Sequence, residues 1–229
     1  MSVALVAVVV AVAALLALAL IGALWRASRP GRGVPGAVIA EAHSLTSLDD
    51  VTGAVRSVQS ADVSLPAEAL EQIWSPEHLE RLARTYWRFL ARVTLGLIHV
   101  SYSEHGRAIV LLTPPLNLLT FKAPEYEMDA DHGLVRWRIA RGLLVARRGR
   151  DGGGYLQIEV RRREPAPDGQ ARLHVAVEVA NFYPSIASGL GRRIYDETQS
   201  RIHVIVTNRF LRSLVRLDLA ESRVGRLRA

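Results

Sequence analysis

The chain has 229 residues, 49% of them hydrophobic, no cysteine and a formal net charge of +7. Its length is about one domain plus an appendage, and the lack of cysteine excludes disulfides, thiolate metal sites and a cysteine nucleophile. Arginine carries the positive charge, with Lys122 the single lysine; codon bias on a solvated surface accounts for this better than phosphate recognition, so nucleic acid is not an expected partner.

From Val3 to Trp25 no side chain is charged. As a helix rising about 1.5 Å per residue the run is roughly 34 Å long, enough for the ~30 Å hydrocarbon core of a bilayer. Residues 1–25 are therefore expected to form a transmembrane anchor. The rival reading, a cleaved secretory signal, would begin with a basic stretch and carry a shorter apolar run. Arg26, Arg29 and Arg32 follow the span, and the arginine-rich flank stays in the cytoplasm. The expected location is the cell membrane, single-pass, with the rest of the chain cytoplasmic.

Residues 26–54 are expected to be a basic Pro/Gly linker. Within it, Ala37 to Gly53 is ambiguous, readable as a tether with one helical turn. Gly31-Arg-Gly33-Val-Pro-Gly36 spells G-x-G-x-x-G, but a dinucleotide site needs a strand before that motif and a helix after it. An apolar span precedes it here and Pro35 interrupts it, so it reads as linker.

The domain is expected over residues 55–220. Val55 to Leu65 suits a strand, and Ala67 to Trp74 a short helix after Pro66. Ser75-Pro76-Glu77 is a helix start, with a hydroxyl cap, proline in the first turn and an acid beside it. Leu79, Leu82, Tyr86, Leu90 and Val93 recur at spacings of three and four, which predicts one buried stripe on a helix running to about Val93. Gly96–Ser103 and Arg107–Thr113 read as a hairpin around Glu104-His105-Gly106. Leu116–Phe121 and Glu125–Asp129 continue the sheet to a turn at Asp131-His132-Gly133. Three alternating runs follow: Val135, Trp137 and Ile139; Leu156, Ile158 and Val160; Leu173, Val175, Val177 and Val179. Period-two alternation predicts antiparallel strands with one face buried. A long amphipathic helix is expected from about Ile186 to Leu219, and residues 221–229 form a basic tail.

The seven histidines are scattered without His-x-x-x-His spacing, so no metal ligands are assigned. G-x-S-x-G, S-x-x-K and P-loop patterns are missing, so no catalytic residue and no cofactor are assigned. On the last helix Gln199 and His203 share the apolar face of Val206, Phe210 and Leu214. Buried polar groups need partners, so these two either line a cavity or bond to a strand edge. Arg201, Arg209, Arg212 and Arg216 cluster on a separate flank, which an anchored domain would present to anionic lipid headgroups.

The order strand, two helices, antiparallel strands and one long C-terminal helix resembles the helix-grip fold of the START-like, or SRPBCC, superfamily. Val63-Ser-Leu65-Pro66-Ala67-Glu68 leading to Ile73-Trp74 is similar to that group's first strand, proline corner and first helix. The resemblance implies a curved sheet gripping the last helix around a cavity for a hydrophobic ligand or lipid. The expected fold class is thus α+β: an N-terminal transmembrane helix, then an antiparallel sheet packed on a long C-terminal helix. The leading functional expectation is a membrane-anchored, noncatalytic module that binds a hydrophobic small molecule, with Trp137, Gln199, His203 and Phe210 as ligand contacts. The alternatives are a structural or assembly partner at the membrane and a cyclase-like enzyme. Oligomeric state is not readable from the sequence.

Overall fold

The structure, a computed structural model, describes residues 37–39, 43–94, 96–103, 106–112, 116–151, 153–166, 169–184 and 210–211. Two short strands come first, β1 (Val38–Ile39) and β2 (His43–Leu48). The long β3 (Val55–Pro66) leads into helix α1 (Ala67–Ile73) and helix α2 (Pro76–Val93). Then come β4 (Ile98–Ser103), β5 (Gly106–Leu111), β6 (Asn117–Lys122), β7 (Glu125–Met128) and β8 (His132–Arg141). A single 3-10 turn at Arg147–Gly149 separates β8 from β9 (Tyr155–Arg163) and β10 (Gln170–Phe182).

All strand pairs are antiparallel, and the sheet runs β1-β3-β10-β9-β8-β6-β5-β4. β1 and β2 share the outer edge of β3, while β6 and β7 share the free edge of β8. The β2–β3 turn is closed by Asp49, whose Oδ1 accepts from the amides of Val51 and Thr52 at 2.9 and 2.7 Å. Gly53 completes it at φ +65°, a conformation that glycine adopts without a Cβ penalty.

Alternation places Val135, Trp137, Ile139, Leu156, Ile158, Val160, Leu173, Val175 and Val177 on the buried face. The stripe Leu79, Leu82, Ala83, Tyr86 and Trp87 of α2 covers that face and is buried with it. Trp87 is the hub of an aromatic cluster, with ring centroids 5.2 Å from Tyr86, 5.6 Å from Phe121 and 4.9 Å from Trp137. The Tyr86 and Trp137 pairs are edge-to-face, which sets the positive rim of one ring against the negative face of another. Ser75 caps α2, its Oγ accepting from the His78 amide at 3.3 Å, with Pro76 in the first turn. At the other end Thr94 Oγ1 donates to Leu90 O at 2.9 Å and accepts from the Ile98 amide at 3.2 Å, tying the helix terminus to β4.

The opposite face of the sheet is polar and paired. Arg136 Nε donates to Gln157 Oε1 (3.0 Å), Gln157 Nε2 donates to Glu178 Oε2 (2.9 Å), and Arg56 Nε donates to Glu178 Oε1 (2.7 Å). His174 meets Asp62 at 2.7 Å and His132 meets Glu159 at 2.9 Å. These arginines are spent on neighbours in the sheet.

Four expectations are corrected. The described residues are mostly antiparallel sheet with two α-helices, so the α+β fold class built on a membrane helix and a long C-terminal helix does not hold. Val3–Trp25 lies outside the described residues, and among those described no helix is long and apolar enough to cross a membrane. α1 has seven residues, and α2 carries Arg81, Arg84, Arg88 and Arg92. The single-pass anchor, the cell-membrane location and the lipid-binding role that rested on it are accordingly dropped. Of the expected helix 186–219 only Phe210 and Leu211 are described, both helical and buried; among the described elements, α1 and α2 cover the sheet. Finally, His43–Leu48, read as tether, is a strand along β3.

Candidate functional site

β3 and β10 pair in a register that sets Val63 opposite Leu173. Their inward side chains Val63, Leu65, Leu173 and Val175 form the floor of a pocket of about 80 Å³. Val160 of β9, Gly133 of β8 and Met128 of β7 continue that floor. Leu70, Ile73 and Trp74 of the α1 segment and Leu79 and Leu82 of α2 form the roof. The space exists where the sheet meets the α1–α2 corner. Gly133 stands in phase with the inward Val135 and Trp137 but brings no side chain.

Trp74 is a partly exposed residue of the lining. Its indole N–H donates to Asp129 O at 3.0 Å, and the Arg162 guanidinium lies 4.4 Å over its ring. Arg162 also forks onto both oxygens of Glu71 in α1, at 2.6 and 3.3 Å. One arginine thus fastens α1, its Trp neighbour and the end of β9 together.

The polar corner of the pocket is Ser75 and His78. Ser75 Oγ lies 2.9 Å from His78 Nδ1, and Arg81 Nη1 lies 3.2 Å from His78 Nε2. A guanidinium can only donate, so Nε2 is the acceptor and the imidazole proton sits on Nδ1. Burial, reinforced by Arg81, holds the His78 pKa below its ordinary value and keeps the ring neutral. In this tautomer His78 has no free lone pair to take a proton from Ser75. The pair is a hydrogen-bonding corner, and not a nucleophile with its base.

The expected site residues are distributed differently. Trp137 is buried in the aromatic cluster, and Phe210 joins the same cluster through Tyr86, with ring centroids 5.6 Å apart. Neither lines the pocket. Gln199, His203, Arg201, Arg209, Arg212 and Arg216 lie outside the described residues. Among the described residues no group of three or more His, Asp or Glu side chains is placed to hold a metal ion. Sequence reasoning missed Ser75, which served there only as part of a helix start, His78, which it did not single out, and Gly133, which read as a turn.

No family model and no curated protein matches the chain. Among the solved structures that match the chain, two illustrate how distant the likeness is. A protein from Arthrobacter aurescens, determined by NMR in solution, is 12% identical with a TM-score of 0.30, covering 72% of this chain and 88% of its own. CalU16 from Micromonospora echinospora is 13% identical with a TM-score of 0.25, covering 72% of this chain and 97% of its own. Likeness at that level carries no argument about fold or function.

Proposed function

We propose that this chain is a noncatalytic binding module for a small hydrophobic molecule, held between the α1–α2 corner and the buried face of the sheet. The observation that carries the reading is the pocket lining: Val63, Leu65, Leu70, Leu82, Leu173 and Val175 turn their side chains to one space, with Ser75 and His78 as its polar corner. Ligand sites are typically apolar concavities with a few placed polar groups that orient the guest. About 80 Å³ is roughly half the ~150 Å³ that holds a benzene molecule in an engineered cavity. The pocket therefore takes the apolar end of a ligand, and the remainder extends past Trp74. The neutral, hydrogen-bonded imidazole supports binding over catalysis.

The test is methyl NMR of the full chain titrated with α-methylstyrene. Saturable shifts are expected at Leu70, Leu82, Leu173 and Val175, with Trp74 indole fluorescence changing in parallel. Shifts spread over exposed methyls without saturation, or none at all, would sink the proposal.

A further inference from the structure

The hydrogen-bond inventory of Ser75 sets the class of ligand. Both bonds that the structure gives its Oγ are bonds in which it accepts. One comes from the His78 amide at 3.3 Å, the helix cap. The other comes from His78 Nδ1 at 2.9 Å, and its direction is fixed by Arg81 on the far side of the ring. Were Ser75 to donate to Nδ1, Nε2 would carry the proton and face a guanidinium N–H, donor against donor. A hydroxyl has two lone pairs and one hydrogen. The lone pairs are used, and the hydrogen is left to give. Ser75 lines the pocket, so that hydrogen is available to a guest.

Its neighbours on the lining hold no strong side-chain acceptor that is free to compete. The rest of the wall is aliphatic or aromatic apart from Met128, whose thioether is only a weak acceptor, and His78, whose two ring nitrogens are engaged. Trp74 lines the wall too, but its N–H is committed to Asp129 O. The side chains of the corner therefore offer one donor and no free acceptor. A guest carrying its own donor would leave that group unpaired, at a cost comparable to a lost hydrogen bond.

We infer that the pocket selects a hydrophobic molecule bearing a hydrogen-bond acceptor without a donor, such as a ketone, ester or ether, and that Ser75 is its specificity-determining residue. This rests on the binding-module reading above and specifies its ligand.

Acetophenone and α-methylstyrene test it, because they have the same shape and differ by C=O against C=CH2. The quantity read is the ratio of their affinities, compared between the wild-type chain and its variants so that differences in ligand hydration cancel. Ser75→Ala removes the donor and the cap together. Ser75→Asp keeps an acceptor for the His78 amide, and so keeps the cap, but has no hydrogen to give. Ser75→Thr restores the hydroxyl. The expected result is that the acetophenone preference falls about two- to tenfold in Ser75→Ala and Ser75→Asp, and returns in Ser75→Thr. If α-methylstyrene binds and the ratio is the same in all four proteins, the Ser75 assignment is overturned while the pocket stands. If neither compound binds the wild-type chain, both fall.

Discussion

His78 shows how much one side chain can be asked to do at the rim of a hydrophobic space. Its amide belongs to the cap of α2, Nδ1–H satisfies Ser75, and Nε2 receives Arg81. Only the neutral ring can do all three. Burial and the Arg81 charge lower its pKa in the fold, so the unfolded chain takes up the proton first as pH falls. The contribution of His78 to stability is then fully present above the ordinary histidine value of about 6.5 and is lost as pH drops from there through the depressed folded value. The carboxyls of Asp49, Glu71, Glu125 and Asp129 are also lowered, chiefly by hydrogen bonds that they accept. Their loss of stability belongs near and below the ordinary carboxylate range, at about pH 4. Urea midpoints measured between pH 5 and 7.5 should fall toward acid in the wild-type chain. His78→Gln, which stays neutral throughout, should show a flatter profile over that window. An unchanged slope in the variant would show that His78 is not the titrating group.

Among the elements, those with one buried face were legible and those without were not. Ser75-Pro76-Glu77 and the stripe from Leu79 to Tyr86 marked α2, and it begins and ends at Pro76 and Val93 as expected. The alternating runs at Val135, Leu156 and Leu173 marked β8, β9 and β10, although each strand extends one to three residues further at either end. β2 left no such trace. All six of its residues are exposed, so His-Ser-Leu-Thr-Ser-Leu carries no period of two, and only the Asp49 turn with Gly53 betrays the hairpin. α1 was legible as a helix, but what holds it was not, because Arg162 lies ninety-one residues beyond Glu71. Its guanidinium both forks to Glu71 and stacks on Trp74, a geometry that an ammonium cannot reproduce. A cation stacked on an aromatic ring at a partly exposed site is worth about 0.5–1 kcal/mol. Arg162→Lys should therefore speed amide hydrogen exchange in Ala67–Ile73 by about two- to fivefold and leave the β8–β9 ladder as it is. Equal acceleration in both would mean that Arg162 supports the sheet as a whole and not α1 in particular.

At the scale of the whole molecule, the sequence indicated antiparallel strands and the contents of their buried faces, but it assigned the cover of the sheet to a long C-terminal helix and did not indicate where the faces would fail to fill. Strand order depends on pairings such as β3 with β10, across more than a hundred residues, and no local pattern records them. The pocket follows from that order. At the Trp137 end of β8 the aromatic cluster fills the space under α2, whereas at the other end Gly133 faces Leu79 with nothing between. A Cβ at Gly133 would lie 3.6 Å from Leu79 Cδ1, an ordinary contact, and Gly133 does not adopt a positive φ. Alanine therefore fits there without strain. Replacing glycine in a strand also reduces the freedom of the unfolded chain, which stabilises by about 0.4–1 kcal/mol where the conformation is compatible. If the gap at Gly133 is kept for a ligand, Gly133→Ala should raise the urea midpoint and at the same time weaken α-methylstyrene binding, because the added methyl occupies the floor of the pocket beside Val160 and Leu79. Greater stability with undiminished binding would place the guest elsewhere. Lower stability would mean that the backbone at Gly133 needs a freedom that alanine lacks.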